Sequence, residues 1–469
     1  MHGTFLKNIS YSLCANLFSF AISAILILVA PKFLGPQDYG MWQLFLFYIS
    51  FSGCCHFGWI DGIYLRYAGA KFSDLNPCIF SGQLIGIILL EVIVGLFIYC
   101  GVDIFVTDNI QKYILKLGSI FPLLYNCNLL CNFLLQITNR IKEYSELVFI
   151  ERIVFLFGTL LVIGLGMQHF IYFYDVKICS LVIACMAGLF MCRKLFVTSI
   201  PANYISEIIY EIKENVLVGI KLLIANTSSV LVIGIIRYGI SIGWDVATFG
   251  RVSLTLSISN FLMIFINSVS IVLFPMLRTI AQKDLAPLYL QIRNLISILL
   301  FALLILYFPI RLVLGQWLPQ YADYLKYMVI LFPICVFESK VVLLINTYLK
   351  DLRQEKLMLK INLYAVLLSA FWTLLFMKII HNLDFAVFGI LLACAFRCFV
   401  LEYYVQKMLR INLSKEIIFD FILVTTFIVS GYLFENFIST FIYTAIFVGT
   451  IFINKKENLK TILFFKSKM

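Results

Sequence analysis

Charged side chains stand inside long apolar stretches of this chain. Glu91, Lys340 and Arg397 each lie well within such a stretch. A charge in hydrocarbon costs about 2.5 to 3.5 kcal/mol on insertion scales, so these residues should mark a pathway or an ion pair. Glu338 lies two residues from Lys340, and side chains two apart on a helix face different ways, so the two cannot simply neutralise each other. We therefore expect buried cations that a ligand, rather than the chain, would compensate.

Further charges lie at the ends of apolar stretches. Arg66 follows Asp61, and Lys221 is about one turn into its stretch. Long basic side chains at such positions can also extend to the membrane surface. Several cations near one cavity would suit a phosphate or pyrophosphate, which Arg grips with two parallel hydrogen bonds. The candidate anion-binding residues are Arg66, Lys221, Lys340 and Arg397, and the candidates for ion coupling are Glu91, Glu338 and Asp61.

Small polar residues recur at helical spacing in two apolar stretches. They are Ser12, Asn16, Ser19 and Ser23 in the first, and Ser253, Ser257, Asn260 and Asn267 in the second. Each set falls on one helix face. Such a stripe either holds helices together or lines a cavity, and its occurrence in both halves favours the cavity. We therefore add Asn16, Asn260 and Asn267 to the candidate binding residues.

No pattern in the sequence predicts a cofactor or a metal site. The four histidines are scattered, and the thirteen cysteines lack the paired spacing of zinc sites. A phosphate-binding loop of the type that serves ATP hydrolysis is also missing from the sequence. We expect no cofactor, no metal and no enzymatic activity.

The composition predicts an all-α integral membrane protein. The chain has 469 residues, of which 62% are hydrophobic and 13% are charged, and its mean hydropathy is +0.99. A spanning helix needs roughly 20 apolar residues. Fourteen spans are predicted: 10–30, 41–60, 79–102, 113–136, 148–167, 171–192, 216–236, 252–274, 293–313, 325–347, 361–379, 385–405, 417–434 and 437–453.

Lys and Arg alternate between successive connectors. Twenty-five of the thirty-six lie in one set of connectors and nine in the other. Basic residues accumulate on the cytoplasmic side, so both termini are predicted to be cytoplasmic. The net charge of +11 is then a sign of topology and of attraction to anionic membrane lipids, and a nucleic-acid partner is not expected.

The longest connector divides the chain near its middle. We predict an N-terminal lobe (1–192), an amphipathic interfacial linker helix (193–215), a C-terminal lobe (216–408), and a helix pair with a basic cytoplasmic tail (409–469). Leu34-Gly35 with Tyr39-Gly40 follows the first span, and Gly243-Trp244 with Phe249-Gly250 follows the seventh. This weak similarity predicts two six-helix lobes related by a pseudo-two-fold axis along the membrane normal.

Two segments carry a family resemblance. Residues 31–40 (Pro-Lys-Phe-Leu-Gly-Pro-Gln-Asp-Tyr-Gly) and 57–62 (Phe-Gly-Trp-Ile-Asp-Gly), leading to Arg66, resemble the Wzx-type polysaccharide flippases. These belong to the multidrug/oligosaccharidyl-lipid/polysaccharide exporter superfamily. Arg66 is the position that the motif itself carries over, whereas the second-half turn, 245–249, departs from the pattern.

The resemblance implies a function and a location. It implies translocation of an undecaprenyl-pyrophosphate-linked oligosaccharide repeat unit to the periplasmic leaflet, for O-antigen or capsule assembly, by alternating access. The location would be the bacterial inner membrane, with a polysaccharide polymerase and a chain-length regulator as further partners.

Two other classes of function stay open. A multidrug or organic-cation antiporter of the same superfamily would need acidic residues to dominate its cavity, whereas cations are more numerous among the candidates here. A membrane polysaccharide polymerase or glycosyltransferase would need a catalytic carboxylate or an Arg-rich outer loop, and no predicted outer loop exceeds about a dozen residues.

Overall fold

A computed structural model describes residues 2–260, 285–352, 354–434 and 436–453. Within these ranges some side chains, including that of Asn16, are not described. All regular structure within those ranges is helical, and no strand occurs there. The predicted all-α class is confirmed. The protein is a multi-pass membrane protein, because eleven of the described helical segments are long and apolar enough to cross a bilayer.

The described chain forms two compact units, which divide between Thr227 and Ser228. The helices up to this division are α1 (His2–Ile49), α2 (Trp59–Arg66), α3 (Pro77–Phe105), α4 (Asn109–Gly118), α5 (Phe121–Ile137), α6 (Ile141–Gly164), α7 (Phe170–Met191), α8 (Arg193–Phe196) and α9 (Ile205–Gly243). The division falls inside α9. The predicted lobe boundaries are not tested by this division and stay a prediction.

The second unit continues from α9 with α10, which is helical over 246–260. It then contains α11 (Leu285–Leu304), α12 (Tyr307–Trp317), α13 (Met328–Ser339), α14 (Asn346–Asp351), α15 (Glu355–Thr373), α16 (Leu383–Leu409), α17 (Ser414–Leu433) and α18 (Asn436–Ile453). A 3₁₀ segment (Pro319–Tyr327) precedes α13. Two π-helical turns, Lys340–Ile345 and Leu374–Ile379, follow α13 and α15.

The count of fourteen spans is not confirmed, for three identifiable reasons. The first two predicted spans contribute a single long segment, Ala21–Cys54. The eighth, 252–274, lies partly outside the described residues. The fourteenth is a shorter apolar helix, Phe437–Ile453.

Helix α1 is bent within residues 31–40, one of the two segments that carry the family resemblance. Gly35 has φ 70° and ψ 168°, a conformation that side-chain-bearing residues rarely adopt. Pro36 then restarts the helix, because a proline at a first helical position sacrifices no hydrogen bond. The Leu-Gly-Pro run is therefore a kink between two helical arms rather than an extended turn.

The second part of the predicted linker, from residue 205, and the seventh span form one helix. Residues 205–243 are continuous as α9, because the Ile205, Ile208, Ile209 and Ile212 face runs on into the apolar stretch without a proline. Gly219 and Gly234 lie inside α9, but a glycine within a helix costs only about 1 kcal/mol. The membrane-surface location predicted for the linker stays a prediction.

Helix α13 is the centre of the second unit. Every one of its twelve residues is buried, and 94% of the most apolar window of the segment Pro319–Leu349 is buried. Glu338 and Lys340, within or next to α13, are therefore buried in protein. This placement decides the environment of Glu338 and Lys340.

Candidate functional site

Four charged side chains meet inside the second unit. Arg293 on α11 donates from Nε to Oε1 of Glu402 and from Nη2 to Oδ2 of Asp420, each over 2.6 Å. Lys340 donates from Nζ to the same Asp420 oxygen over 2.5 Å. None of these side chains is more than 4% exposed. These four residues, the charge cluster, join α11, α16, α17 and the π-helical turn after α13.

A separate ion pair joins α16 and α13 of the second unit. Arg397 on α16 pairs with Glu338 near the end of α13, and it donates from Nη1 to Oγ of Ser229 over 2.7 Å. The Arg397 side chain is 1% exposed. Burial of these charges is compensated by the charge of the partner and by the additional hydrogen bond.

The expectation that Lys340 and Arg397 lack protein partners is wrong. Asp420 and Glu338 neutralise them, so the charge cluster and the Arg397 pair together carry no net charge. As their spacing indicated, Glu338 and Lys340 do not pair with each other. Glu338 pairs instead with Arg397, which lies on another helix. Their part in substrate binding stays a prediction, and in the described arrangement an anion would have to displace a carboxylate.

Arg66 is held by α9 within the first unit. Its guanidinium donates to Glu211 through Nη1 (2.7 Å to Oε2) and Nη2 (3.2 Å to Oε1), and Nη1 also reaches Oδ1 of Asn215 at 2.6 Å. Tyr67 donates its hydroxyl to Glu211 over 2.8 Å. Burial alone would lower the pKa of Arg66, but the hydrogen bond to Glu211 and its charge raise it. The Arg66 side chain is still 26% exposed.

A chain of hydrogen bonds connects Arg66 to the interior of this unit. Asn215 donates to Oε1 of Gln83 over 2.7 Å, and Trp59 Nε1 donates to the same oxygen over 3.0 Å. Gln83 is fully buried on α3. The chain thus ties α2, α3 and α9 together through one amide oxygen.

Glycines make this approach of α2 and α9 possible. A Cβ at Gly62 would lie 1.8 Å from the carbonyl oxygen of Asn215, and one at Gly219 would lie 1.9 Å from that of Gly58. No side chain fits at such distances. The Gly-Trp-Ile-Asp-Gly run before Arg66 therefore positions the arginine by letting the two backbones touch.

Glu91 forms no ion pair with any described cation. Asn126 Nδ2 donates to Oε1 of Glu91 over 2.7 Å and to the carbonyl oxygen of Ser52 over 2.9 Å. Glu91 and Asn126 are both 0% exposed. The second carboxylate oxygen, Oε2, and Asn126 Oδ1 are buried without a hydrogen-bond partner among the described residues.

Asp61 lies in the first turn of α2 and is 7% exposed. Its Oδ2 is 3.9 Å from Nε2 of His56, too far for a hydrogen bond. Burial raises the pKa of Asp61 to about 6. The carboxyl therefore titrates close to physiological pH.

The remaining sequence candidates are not brought together by the described contacts. Lys221 is exposed on α9, and no described residue forms an ion pair with it. Asn260 is exposed at the end of α10. Asn267 and the side chain of Asn16 lie outside the described residues. The two polar stripes therefore stay a prediction.

Sequence reasoning missed three members of the charge cluster: Arg293, Glu402 and Asp420. Each lies just inside the end of a predicted span, where a charge is easily assigned to the neighbouring connector. A signal existed, because Asp420 comes six residues into α17 and Glu402 seven residues before the end of α16. Charges at these depths are rarely left without a partner.

A metal centre has no basis in the described part of the chain. No group of three or more His, Cys, Asp or Glu side chains comes together there. The charge cluster contains only two carboxylates, and both are already occupied by Arg293 and Lys340.

The fold is similar to those of solved membrane transporters. The lipid II flippase MurJ, in an inward closed conformation, matches with a TM-score of 0.67 at 12% identity, over 96% of this chain and 99% of that chain. An inward-facing multidrug resistance MATE family transporter of the MOP superfamily matches with a TM-score of 0.63 at 11% identity, over 83% and 94%. MATE in complex with MaD3S matches with a TM-score of 0.53 at 13% identity, over 86% and 95%.

Sequence comparison adds no relative to these structures. No protein-family model matches the chain, and no curated protein matches it. At identities this low the likeness concerns the fold alone.

Proposed function

We propose that this protein is a flippase that moves an undecaprenyl-pyrophosphate-linked oligosaccharide repeat unit from the cytoplasmic to the periplasmic leaflet, for O-antigen or capsule assembly. The observation that carries the proposal is the extent of the structural match. MurJ, a lipid II flippase, matches 96% of the chain, whereas the MATE transporters match 83% and 86%. The difference is about the size of the predicted C-terminal segment, 409–469.

The buried charges also favour a flippase over an organic-cation antiporter. An antiporter for cations needs carboxylates that a drug can reach and pair with. Three of the four carboxylates that are buried in the described spanning helices, Glu338, Glu402 and Asp420, already hold Arg or Lys. Little acidic capacity is left for a cationic drug.

Arg66 is the cation best placed to meet the pyrophosphate. It is partly exposed, and its two N–H groups already grip a carboxylate side by side. Phosphate oxygens fit the same fork. A pyrophosphate would displace Glu211 from Arg66, while Asn215 would keep the guanidinium oriented. Lys221 could add a second, solvated charge.

The test is deletion of the gene followed by analysis of the membrane lipids. Undecaprenyl-linked repeat units should accumulate on the inner leaflet and surface polysaccharide should disappear, and the intact chain should restore both. Unchanged lipids with increased sensitivity to cationic drugs would instead support the antiporter.

Complementation with Arg66 variants tests the proposed contact. Arg66→Lys keeps the charge but loses the two-pronged geometry, so it should restore polysaccharide only weakly at a normal protein level. Lys71→Ala, an exposed basic residue close by in the sequence, is the matched control and should complement fully. Full complementation by Arg66→Ala would remove Arg66 from the binding site.

The cellular setting follows from the same proposal. We expect the inner membrane, cytoplasmic termini, and supply of the product to a polysaccharide polymerase and chain-length regulator. Reporter fusions to each terminus test the orientation, and a periplasmic terminus would contradict it.

A further inference from the structure

Glu91 lies at the middle of a spanning helix. Fourteen residues of α3 separate it from each end of Pro77–Phe105, which is about 21 Å on either side at 1.5 Å per residue. The side chain is 0% exposed. Of all positions in the helix, this is the most expensive for an unpaired negative charge.

Glu91 has a different kind of partner from the other buried carboxyls of the described spanning helices. Glu338, Glu402 and Asp420 each pair with Arg or Lys. Glu91 accepts only from the neutral amide of Asn126. A desolvated carboxylate without a counter-charge is neutralised by taking up a cation or a proton.

Charged groups on the surrounding elements do not supply that counter-charge. Helix α5, which carries Asn126, has no charged residue. On α4, Lys116 pairs with Asp103 over 2.7 Å, near the end of α3, and Lys112 acts on the same carboxylate. The thiols of Cys55 and Cys127 lie close enough to Glu91 to interact with its charge, and a thiol cannot be a cation.

The basic side chains on the segments next to α3 also contact groups other than Glu91. His56, in the segment that contains Ser52, faces Asp61. Arg193 on α8, which packs against α3, lies over the ring of Phe190. Glu91 therefore keeps Asn126 as its only described polar partner.

The unpaired atoms at the site indicate that a hydrogen-bond donor is missing. Glu91 Oε2 and Asn126 Oδ1 are both buried acceptors without a donor. A carboxylic acid has one O–H donor that a carboxylate lacks. One proton on Glu91 would thus remove the buried charge and supply a donor where two acceptors are unmatched.

From this arrangement we propose that Glu91 is a proton-binding site of the first unit, with Asn126 as its positioning residue. As a step of the transport cycle the proposal rests on the proposed flippase function: uptake from one side and release to the other would couple translocation to the proton gradient. One proton moving through 100 mV supplies about 2.3 kcal/mol.

The site is connected to the break between α1 and α2. Asn126 Nδ2 is shared between Glu91 and the carbonyl oxygen of Ser52, which begins the short 3₁₀ turn Ser52–Cys54. A carboxylate attracts the amide more strongly than a neutral acid does. Loss of the proton should therefore draw Asn126 away from Ser52 and loosen this turn.

Infrared difference spectroscopy of the purified full-length protein in lipid, without any substrate, tests the site. A protonated carboxylic acid gives a carbonyl-stretch band that shifts in D₂O. We expect this band at mildly acidic pH in an Asp61→Asn background, which removes the other carboxyl whose pKa burial raises, and its loss when Glu91→Gln is added. The matched control is Glu151→Gln, since Glu151 pairs with Lys177 over 2.7 Å and should contribute no such band.

Two outcomes would overturn the proposal. One is a wild-type spectrum without the band, or a band that Glu91→Gln leaves intact. The other is a band of the same intensity from about pH 5 to about pH 10, which would make Glu91 a permanently neutral acid and not a site that takes up and releases a proton. Glu91→Gln is isosteric with the neutral acid and should keep its thermal stability.

A second variant covers the role of Asn126 and does not depend on the first. Asn126→Leu keeps the carboxyl but removes its hydrogen bond, so the band should move to higher frequency. An unmoved band would remove Asn126 from the site. These spectra need no transport assay, so they can succeed where the lipid analysis fails, and the failures of the two proposals are distinguishable.

Discussion

A single carboxylate oxygen of Asp420 accepts from both Lys340, over 2.5 Å, and Arg293, over 2.6 Å. These two cations come from different helices, and Glu402 completes the balance by pairing with Arg293. The arrangement fixes α17 to the centre of the second unit. It also means that removing any one member leaves a buried charge.

Asp420→Asn should destabilise the protein strongly, by about 3 to 5 kcal/mol, because two buried cations would then share one carboxylate. The measurement is thermal unfolding in detergent. The double variant Lys340→Met with Asp420→Asn should recover much of the loss, since Arg293 and Glu402 remain as a neutral pair. Asp323→Asn, at an exposed position, is the control. Equal loss in the single and double variants would show that the Lys340 contact contributes nothing.

Gly219→Ala should prevent α2 and α9 from touching, because its Cβ would lie 1.9 Å from the carbonyl oxygen of Gly58. Overpacking of this kind typically costs about 1 to 3 kcal/mol, and the bonds from Arg66 to Asn215 should weaken with it. Folded yield and melting temperature are the measurements. Gly164→Ala, whose Cβ would meet nothing within 4 Å, should match the wild type. A normal Gly219→Ala protein would refute the close contact.

Gln83→Met should leave the donors of Trp59 and Asn215 without their shared acceptor. Each buried unsatisfied donor costs about 1 to 3 kcal/mol, so the melting temperature should fall clearly. Gln136→Met changes a half-buried glutamine and should shift stability by no more than about 0.5 kcal/mol. Equal melting temperatures of the two variants would show that the hydrogen-bond chain to Arg66 does not stabilise the fold.

Asp61 should make stability fall as the pH rises. Burial raises its pKa to about 6 from an ordinary value of 3.8, so the folded state binds the proton more tightly than the unfolded state does. Its contribution is therefore full below about pH 4 and is lost as pH rises through 6. The loss is at most about 3 kcal/mol.

Asp61→Asn should remove this falling contribution, measured as the difference in melting temperature from the wild type between pH 4 and 7. The difference is the correct readout because burial lowers the pKa of the neighbouring His56 to about 4, which gives stability the opposite slope over the same range. Asp74→Asn, at an exposed position, should retain the wild-type slope. The same slope in Asp61→Asn and the wild type would contradict the assignment.

Local pattern was sufficient for the helices and for the depth of several charges. The spans predicted at 79–102 and 171–192 correspond to Pro77–Phe105 and Phe170–Met191, because long apolar runs leave a helix as the only way to satisfy the backbone in a bilayer. The burial of Glu91, Lys340 and Arg397 was predicted for the same reason and is confirmed.

Where one element continues into the next was harder to predict. The kink at Gly35 depends on one residue's freedom to take a positive φ, and α9 continues through Gly219 because no proline follows residue 205. Hydropathy windows average over both features. The π-helical turn at Lys340–Ile345 likewise leaves no trace in a hydropathy profile.

The sequence by itself determined that this is an all-α membrane protein, which residues form most of its apolar helices, and that Glu91, Lys340 and Arg397 lie far from solvent, because these follow from composition and spacing along the chain. Only the tertiary structure decided which charge meets which. Asp420 is 80 residues from Lys340, Glu338 is 59 from Arg397, and Glu211 is 145 from Arg66. An ion pair requires atoms within about 4 Å, and helix packing alone brings such distant residues together or, as with Glu91, leaves a carboxyl facing an amide.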